Sequence, residues 1–258
     1  MAINDKIGEV LRTLSGTRRH RTAAIIVAAG SGTRMNMAVT KQFLPLDGIP
    51  VVIRSVLAFE ASEYIDEIII VAKGDEAELY PLLLEKYSIK KVKCVVVGGD
   101  TRQDSVWNGF CAISDKINFV AIHDAARPLI TTEQIKKVVL AGYDYRAATA
   151  GATSRDSVKL ASISEHVDRS LDRDKVWLIQ TPQVFYADLY RAAAVVAKKD
   201  NFKGTDDCSL VEHAGFSVKL VDCGRENIKL TSSEDLLFAE AIIKARKTGT
   251  TKKAGERK

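Results

Sequence analysis

After Arg21 the chain alternates two kinds of segment, and this alternation limits what it can fold into more than any other feature of the sequence. Short β-branched, apolar runs at Ala23–Ala29, Glu67–Ala72, Val92–Val97 and Phe119–Ile122 are separated by stretches with helical spacing at Val51–Ala61, Glu76–Tyr87, Ser105–Ile113 and Thr132–Tyr143. The apolar runs are continuous rather than alternating, so each strand needs cover on both faces. That requirement predicts an α/β fold, a mostly parallel sheet with helices on both faces. Ligands of such sheets bind beyond the carboxyl ends of the strands. Functional residues are therefore expected just after the apolar runs, where the sequence places Gly30-Ser31-Gly32-Thr33-Arg34, Gly98-Gly99-Asp100 and His123-Asp124-Ala125-Ala126-Arg127-Pro128.

The rhythm breaks at Gly151. From Ser154 to Lys175 the chain is polar and charge-rich with weak alternation at Val158, Leu160, Ile163, Val167 and Leu171, which suggests a hairpin projecting from the sheet. About twenty residues is long for a structureless connection inside a compact domain, so an arm that reaches a partner subunit is expected. Helices follow at Ala187–Lys198, at Asp206–Ala214 with Thr205 as N-cap, and at Ser233–Ala245, with a strand at Ser217–Val221. No repeat or linker divides the chain. Residues 1–22 read as an N-terminal extension, 23–247 as one domain with its arm at about 154–175, and 248–258 as a basic C-terminal tail.

Charge and composition remove several classes of function. The net charge of +5 resolves into +3 over residues 1–22, +6 over 244–258 and −4 over the middle, so the basicity lies in the ends and not in a stripe across the folded part. This argues against a nucleic-acid partner. The longest stretches without a charged residue, Thr22–Thr33 and Val176–Ala187, have 12 residues each, too few to span a bilayer. Cys94, Cys111, Cys208 and Cys223 form no CxxC pair and have no His at zinc-finger spacing. Three of them sit in apolar runs, as buried free thiols do. The first 22 residues lack the apolar core of a secretion signal, and Asp5 and Glu9 count against an organellar presequence. A cytoplasmic protein is expected.

The first strand runs into Ala28-Ala29-Gly30-Ser31-Gly32-Thr33-Arg34, with Lys41 close behind. Glycines let consecutive N–H groups turn toward one anion, and two cations add full charges, so the loop is a candidate phosphate cradle. It is not a Walker A loop. Nor is it a complete dinucleotide fingerprint, because Met35 stands where the third glycine belongs. At the end of the fourth apolar run, Asp124 could share a divalent cation with phosphate oxygens, the coordination magnesium prefers, or could simply pair with Arg127. The phosphate loop on the same sheet edge favours the metal role. His123 has no companion ligand and reads as structural.

Taken in order, Ala28 to Met35 with Lys41-Gln42-Phe43, Gly98-Gly99-Asp100-Thr101-Arg102-Gln103-Asp104-Ser105, HDAARP, Asp172-Arg173, Thr181-Pro182-Gln183, Thr205-Asp206 and Asn227-Ile228-Lys229 resemble the 2-C-methyl-D-erythritol 4-phosphate cytidylyltransferase family. The likeness runs from about Ala23 to Ala245. It implies a single Rossmann-like nucleotidyltransferase domain, CTP and a sugar-alcohol phosphate as substrates, magnesium as cofactor and a homodimer joined through the arm. It also implies roles. Arg34, Lys41 and Lys229 would be catalytic. Ala28, Ala29, Gly30, Ser31, Gly32, Thr33, Gly99, Asp100, Arg102, Ser105 and Ala125 would bind the nucleotide. Asp124, Arg127, Ser157, Arg173, Thr181 and Thr205 would bind the sugar phosphate, with Asp124 also on the metal and Arg173 donated by a second subunit.

These residue types suit the implied chemistry. A sugar phosphate is already anionic near neutral pH, so its attack on the α-phosphorus of CTP needs no general base and no enzyme nucleophile, only control of charge. Ribitol-5-phosphate cytidylyltransferases share most of these motifs and form the nearest alternative, although they read HDAVRP and carry glycine where Ala29 stands. A nicotinamide-dependent oxidoreductase is disfavoured by Met35 and the basic loop. A non-catalytic nucleotide-binding regulator is disfavoured by the joint presence of Arg34, Lys41, Asp124 and Lys229. Two departures from the family pattern stand out: Thr40 replaces a proline before Lys41, which predicts a looser loop, and Ser157 replaces a threonine while keeping its hydroxyl.

Overall fold

The computed structural model describes residues 20–30 and 40–249. Ser31, Gly32, Thr33 and Arg34 lie outside the described residues, as do most of the N-terminal extension and the basic tail.

In chain order the elements are β1 (Thr22–Val27), a small ribbon of β2 (Pro45–Leu46) and β3 (Ile49–Pro50), α1 (Val51–Glu60), β4 (Glu67–Ala72), α2 (Tyr80–Lys86) and β5 (Val92–Val97). Next come α3 (Arg102–Cys111), β6 (Phe119–Asp124), α4 (Thr132–Tyr145), β7 (Ala147–Thr153), β8 (Val158–Ala161), β9 (Val167–Leu171) and β10 (Trp177–Tyr186). The chain ends with α5 (Ala187–Lys199), α6 (Asp207–His213), β11 (Lys219–Asp222) and α7 (Ser233–Lys247). Seven strands form one sheet in the order β11-β7-β10-β6-β1-β4-β5. Every described pairing in it is parallel except those of β10, which runs antiparallel to both β6 and β7.

The apolar runs of β1, β4 and β6 bury both faces, as expected of a parallel sheet between helices, whereas β5 lies at the sheet edge and stays half-exposed, so its run does not receive the two-sided cover the sequence pattern predicts. Along β1, Ala24 and Ile26 pack under α1 and α4 with Val52, Val56, Phe59, Ile135 and Val139. Ala23 and Ile25 point the other way, into Val106 and Phe110 of α3 and Tyr190 and Ala193 of α5. Ile25 and Ile26 are both fully buried, each worth roughly 1.5–3 kcal/mol relative to exposure.

Two strands of the main sheet escape the sequence pattern. β7 reads Ala-Ala-Thr-Ala-Gly-Ala-Thr, with no large β-branched or aromatic residue to announce it, yet it is buried between β11 and β10. β10 contains Pro182, which demotes a strand by pattern, and its pairing with β7 shifts register between Ile179 and Gln183 where that proline falls. The expected arm is an antiparallel hairpin of β8 and β9 outside the main sheet, with Val158 paired to Leu171. Its residues are largely exposed, Ile163 completely so.

Two smaller expectations change. Thr205 is not the cap of α6. Asp206 takes that place because its carboxylate accepts from the Ser209 N–H at 3.0 Å, while Ser209 Oγ in turn receives the Asp206 N–H. All four cysteines are free, but only Cys208 and Cys223 are buried; Cys94 is half-buried and Cys111, at the last turn of α3, is exposed. Helical periodicity turns Cys111 away from the apolar face that Val106 and Phe110 present.

Candidate active site

The carboxyl ends of β1, β5 and β6 open on a pocket of about 380 Å³ lined by Ala29, Gly30, Lys41, Gly99, Asp100, Arg102, Ser105, Asp124 and Lys229, among others. Each lining side chain arrives there for a local reason. After β5 the chain turns at Gly98 and Gly99 against the start of α3. A Cβ on Gly98 would sit 2.4 Å from that of Ala29 and 2.8 Å from Ser105 Oγ, so only glycine permits this approach. Thr101 caps α3 in a reciprocal box with Asp104, its hydroxyl accepting the Asp104 N–H at 3.1 Å and the Asp104 carboxylate accepting the Thr101 N–H at 3.2 Å. Such a cap contributes about 1 kcal/mol, and here it sets Arg102 and Ser105 on the first turn, facing the pocket. Ser105 Oγ accepts the Gly99 N–H at 3.0 Å, tying turn to helix.

Asp124 ends β6, only 11% exposed, and holds two cations: Arg102 Nε donates to one carboxylate oxygen at 3.2 Å and Lys229 Nζ to the other at 2.7 Å. Burial opposes its charge, but Arg102 and Lys229 outweigh burial and hold the carboxyl well below the usual carboxylate range. Lys229 reaches Asp124 across 105 positions of sequence because its segment is stitched to the sheet. Asn227 donates to Gln180 Oε1 at 3.0 Å and to the Thr181 carbonyl at 2.8 Å, Arg127 donates to the Asn227 carbonyl at 2.8 Å, and the Leu230 N–H bonds the Ala126 carbonyl at 2.8 Å. Lys41 enters from the opposite side in a 3-10 turn, Lys41–Phe43, with Nζ donating to the Leu230 carbonyl at 3.2 Å. The preceding Thr40 has φ −62°, a value a proline ring would also take, while the loop whose looseness Thr40 predicts lies outside the described residues.

Behind Asp124 lies a polar chain. The Asp124 N–H donates to Thr181 Oγ1 at 3.0 Å, and that hydroxyl lies 3.0 Å from His123 Nδ1. His123 Nε2 is 3.2 Å from the Arg127 carbonyl, which can only accept, so Nε2 carries the proton and Nδ1 accepts from Thr181. The ring is fully buried, and burial pushes its pKa down to about 4. His123 therefore stays neutral and serves the scaffold.

Several residues singled out from sequence fall elsewhere. The Ala28 N–H is taken up by the Val71 carbonyl at 2.7 Å, and Ala125 is fully buried with its N–H on Val27 and its carbonyl receiving the Ser55 hydroxyl. Arg127 does not pair with Asp124; it braces the Asn227 and Ile179 carbonyls. The Thr181 hydroxyl is spent on Asp124 and His123. Ser157, Thr205 and Arg173 are exposed and do not line the pocket, Arg173 keeping 60% of its side chain in solvent at the base of the arm.

A sequence model of the 2-C-methyl-D-erythritol 4-phosphate cytidylyltransferase family matches residues 22–245. The protein of that name from Pelotomaculum thermopropionicum is 43% identical over 88% of this chain and 95% of its own. The chain belongs to this family. Its namesake from Caldanaerobacter subterraneus is 43% identical over 86% of this chain and 98% of its own. A solved structure, 4-diphosphocytidyl-2C-methyl-D-erythritol synthase from Anaerococcus prevotii, superposes with a TM-score of 0.77 at 32% identity, covering 87% of this chain and 99% of that one. These relatives decide against the ribitol phosphate alternative and support the nucleotidyltransferase fold.

Family membership leaves unexplained one carboxylate that sequence reading passed over. Asp207, at the start of α6, accepts from Arg102 Nη1 at 2.8 Å and from the Tyr190 hydroxyl at 3.0 Å. Local sequence offered no signal for it, since it lies 105 positions from Arg102 and looks like an ordinary first-turn acid of a helix.

Proposed function

We propose that this cytidylyltransferase family member transfers the cytidylyl group of CTP to 2-C-methyl-D-erythritol 4-phosphate, giving 4-diphosphocytidyl-2-C-methyl-D-erythritol and pyrophosphate. The observation that carries this reading is that Lys41 shares one pocket at the carboxyl edge of the sheet with Asp124 and the two cations on it, Arg102 and Lys229. A phosphate oxygen of the sugar phosphate attacks the α-phosphorus, the bond to the β-phosphate oxygen breaks, and pyrophosphate leaves with that electron pair. No proton need move, because the nucleophile is already ionised. The protein's work is to bring two anions together and to stabilise the extra charge on the crowded phosphorus, a task for Lys41 and Lys229 in the pocket and, by its place in the family's loop motif, for Arg34. Ala29, Gly30 and the following glycine loop cradle the triphosphate, while Gly99, Asp100 and Ser105 face the cytosine and ribose. Thr181 acts by orienting Asp124. Ser157, Arg173 and Thr205 receive the sugar phosphate from the arm and the α6 loop once a second subunit closes over the pocket. We place the protein in the cytoplasm, where its four free thiols would stay reduced; among the described residues no helix is long and apolar enough to cross a membrane.

Magnesium fits this pocket as an ion carried by phosphate. Among the described residues no three His, Cys, Asp or Glu side chains form a cage, whereas Asp124, through lone pairs left beside its bonds to Arg102 and Lys229, and Asp100 in the same lining would supply the one or two carboxylates magnesium uses alongside phosphate oxygens. When bound there it neutralises phosphate charge. Excess chelator should abolish pyrophosphate release, and Asp124→Asn should raise the magnesium concentration needed for half-maximal rate; full activity in chelator would refute the metal role.

The substrate reading is tested by measuring pyrophosphate from CTP with methylerythritol phosphate and, in parallel, with ribitol 5-phosphate. Release only with the former is expected. CTP should also be preferred to UTP by a factor on the order of a hundred or more, since polar groups set to bond one base edge are left unpaired by another. Equal turnover of the two nucleotides would contradict the place given to Gly99 and Ser105.

A further inference from the structure

We infer that Asp207 is a positioning residue for the transfer: from outside the pocket it pins Arg102 in the orientation in which the guanidinium engages Asp124. The inference rests on the pocket being the nucleotide site. Asp207 is almost wholly buried and is absent from the pocket wall, so it cannot touch substrate in this arrangement. It is held from three elements. Its carboxylate accepts from Arg102 Nη1 of α3 at 2.8 Å and from the Tyr190 hydroxyl of α5 at 3.0 Å, and its N–H donates to Gln183 Oε1 of β10 at 3.0 Å. The same Gln183 oxygen also receives the Cys208 N–H at 3.1 Å, which fixes the first turn of α6 against the sheet.

Arg102 is thus gripped along two edges of its planar fork, by Asp207 at Nη1 and by Asp124 at Nε. The contact to Asp207 is the shorter, and it is anchored in the core, whereas the contact to Asp124 faces the pocket. Without Asp207 a long side chain with five donors would keep one bond of 3.2 Å and regain most of its rotamers. An incoming triphosphate could then draw the guanidinium off Asp124, leaving that carboxylate to hold Lys229 alone and shifting the cations around the α-phosphate. Misplacement of this kind lowers turnover more than affinity. Tyr190 belongs to the same device, because its hydroxyl fixes the second oxygen of Asp207 and so its plane.

The test uses the full chain and the variants Asp207→Asn, Tyr190→Phe, Arg102→Lys and the doubles with Arg102→Lys. Pyrophosphate release gives kcat and KM for CTP, and the 1H–15N signal of the Arg102 side-chain Nε, identified by its loss in Arg102→Lys, reports the guanidinium without any turnover. Asp207→Asn should lower kcat by about tenfold with a smaller change in KM, and should broaden or shift the Nε signal. In the Arg102→Lys background it should cost no more than about a further twofold, because the group it positions is gone. An unchanged Nε signal in Asp207→Asn, or losses that multiply in the double variant, would overturn the inference. If Asp207→Asn fails to fold, Tyr190→Phe carries the same comparison with an expected loss of about threefold that vanishes with Arg102→Lys. A wild-type protein that released no pyrophosphate would defeat the substrate reading, while the Nε signal would still decide whether Asp207 holds Arg102.

Discussion

Replacing Lys41 with alanine is expected to cut turnover by about a hundredfold or more while leaving the fold intact. Lys41 packs little of the core. It stands in a single 3-10 turn, half-buried, with its ammonium on the Leu230 carbonyl at the pocket wall. Its removal should therefore leave the melting temperature within a few degrees of wild type. The reaction is different. Two anions meet at one phosphorus, and the charge gathered on the transferring group and the leaving pyrophosphate exceeds what either substrate carries at that place alone. A cation aimed there stabilises the transition state more than the ground state, so its loss appears mainly in kcat. A hundredfold corresponds to about 2.7 kcal/mol, the size seen when one preorganised charge or donor is deleted from such a site. Steady-state pyrophosphate release with saturating CTP checks it. A variant within a few-fold of wild type would remove Lys41 from the catalytic set.

The second large effect is a gain of activity from two inactive proteins. The arm of β8 and β9 stands clear of the sheet, its Arg173 is exposed at the base, and none of Ser157, Arg173 or Thr205 lines the pocket of its own chain. Exposed apolar residues Ile163, Val167 and Leu178 run along the arm and the start of β10, where a partner would cover them. If two chains exchange arms about a twofold axis, each site takes Lys41 from one chain and Arg173 from the other. Arg173→Ala and Lys41→Ala homodimers are then both inactive. After subunit exchange, half of the dimers are mixed, and each mixed dimer carries one doubly damaged site and one intact site. Activity should recover to about a quarter of the wild-type level for the same total protein. Light scattering must show a dimer, and labelled subunits must show exchange. With both in hand, no recovery would mean that Arg173 serves its own chain's site or none.

How far the sequence alone went is clearest along the sheet. Glu67–Ala72 was legible residue for residue because a buried parallel strand needs an apolar run, and Val92–Val97 because its β-branched residues favour extended backbone even at the half-exposed edge of the sheet. β7 was invisible for the complementary reason. A strand of alanine, glycine and threonine has no intrinsic preference for extended backbone, and it becomes one only because β10 and β11 supply ladder partners on both sides and leave room for small side chains alone. The cap of α6 moved from Thr205 to Asp206 by a choice of one residue that local chemistry leaves nearly even.

The site divides in the same way. Sequence by itself singled out Lys41, the Gly98-Gly99 turn and Asp124 as residues whose charge and turn geometry suit an anion, and the family resemblance added Ser105 and Lys229. Sequence also placed Gly98-Gly99 and Asp124 at the carboxyl ends of strands, where they stand. Only the tertiary structure decided which of them meet. Arg102 is held between Asp124 and Asp207, Lys229 meets Asp124 through a segment that Asn227 ties to the sheet, Arg127 braces the Asn227 and Ile179 carbonyls, and the Thr181 hydroxyl accepts the Asp124 N–H. The physical reason is range. Backbone preference and apolar periodicity act over a few residues and are written locally, whereas an ion pair depends on distance and burial between groups a hundred positions apart, which exist only once the sheet has brought them together.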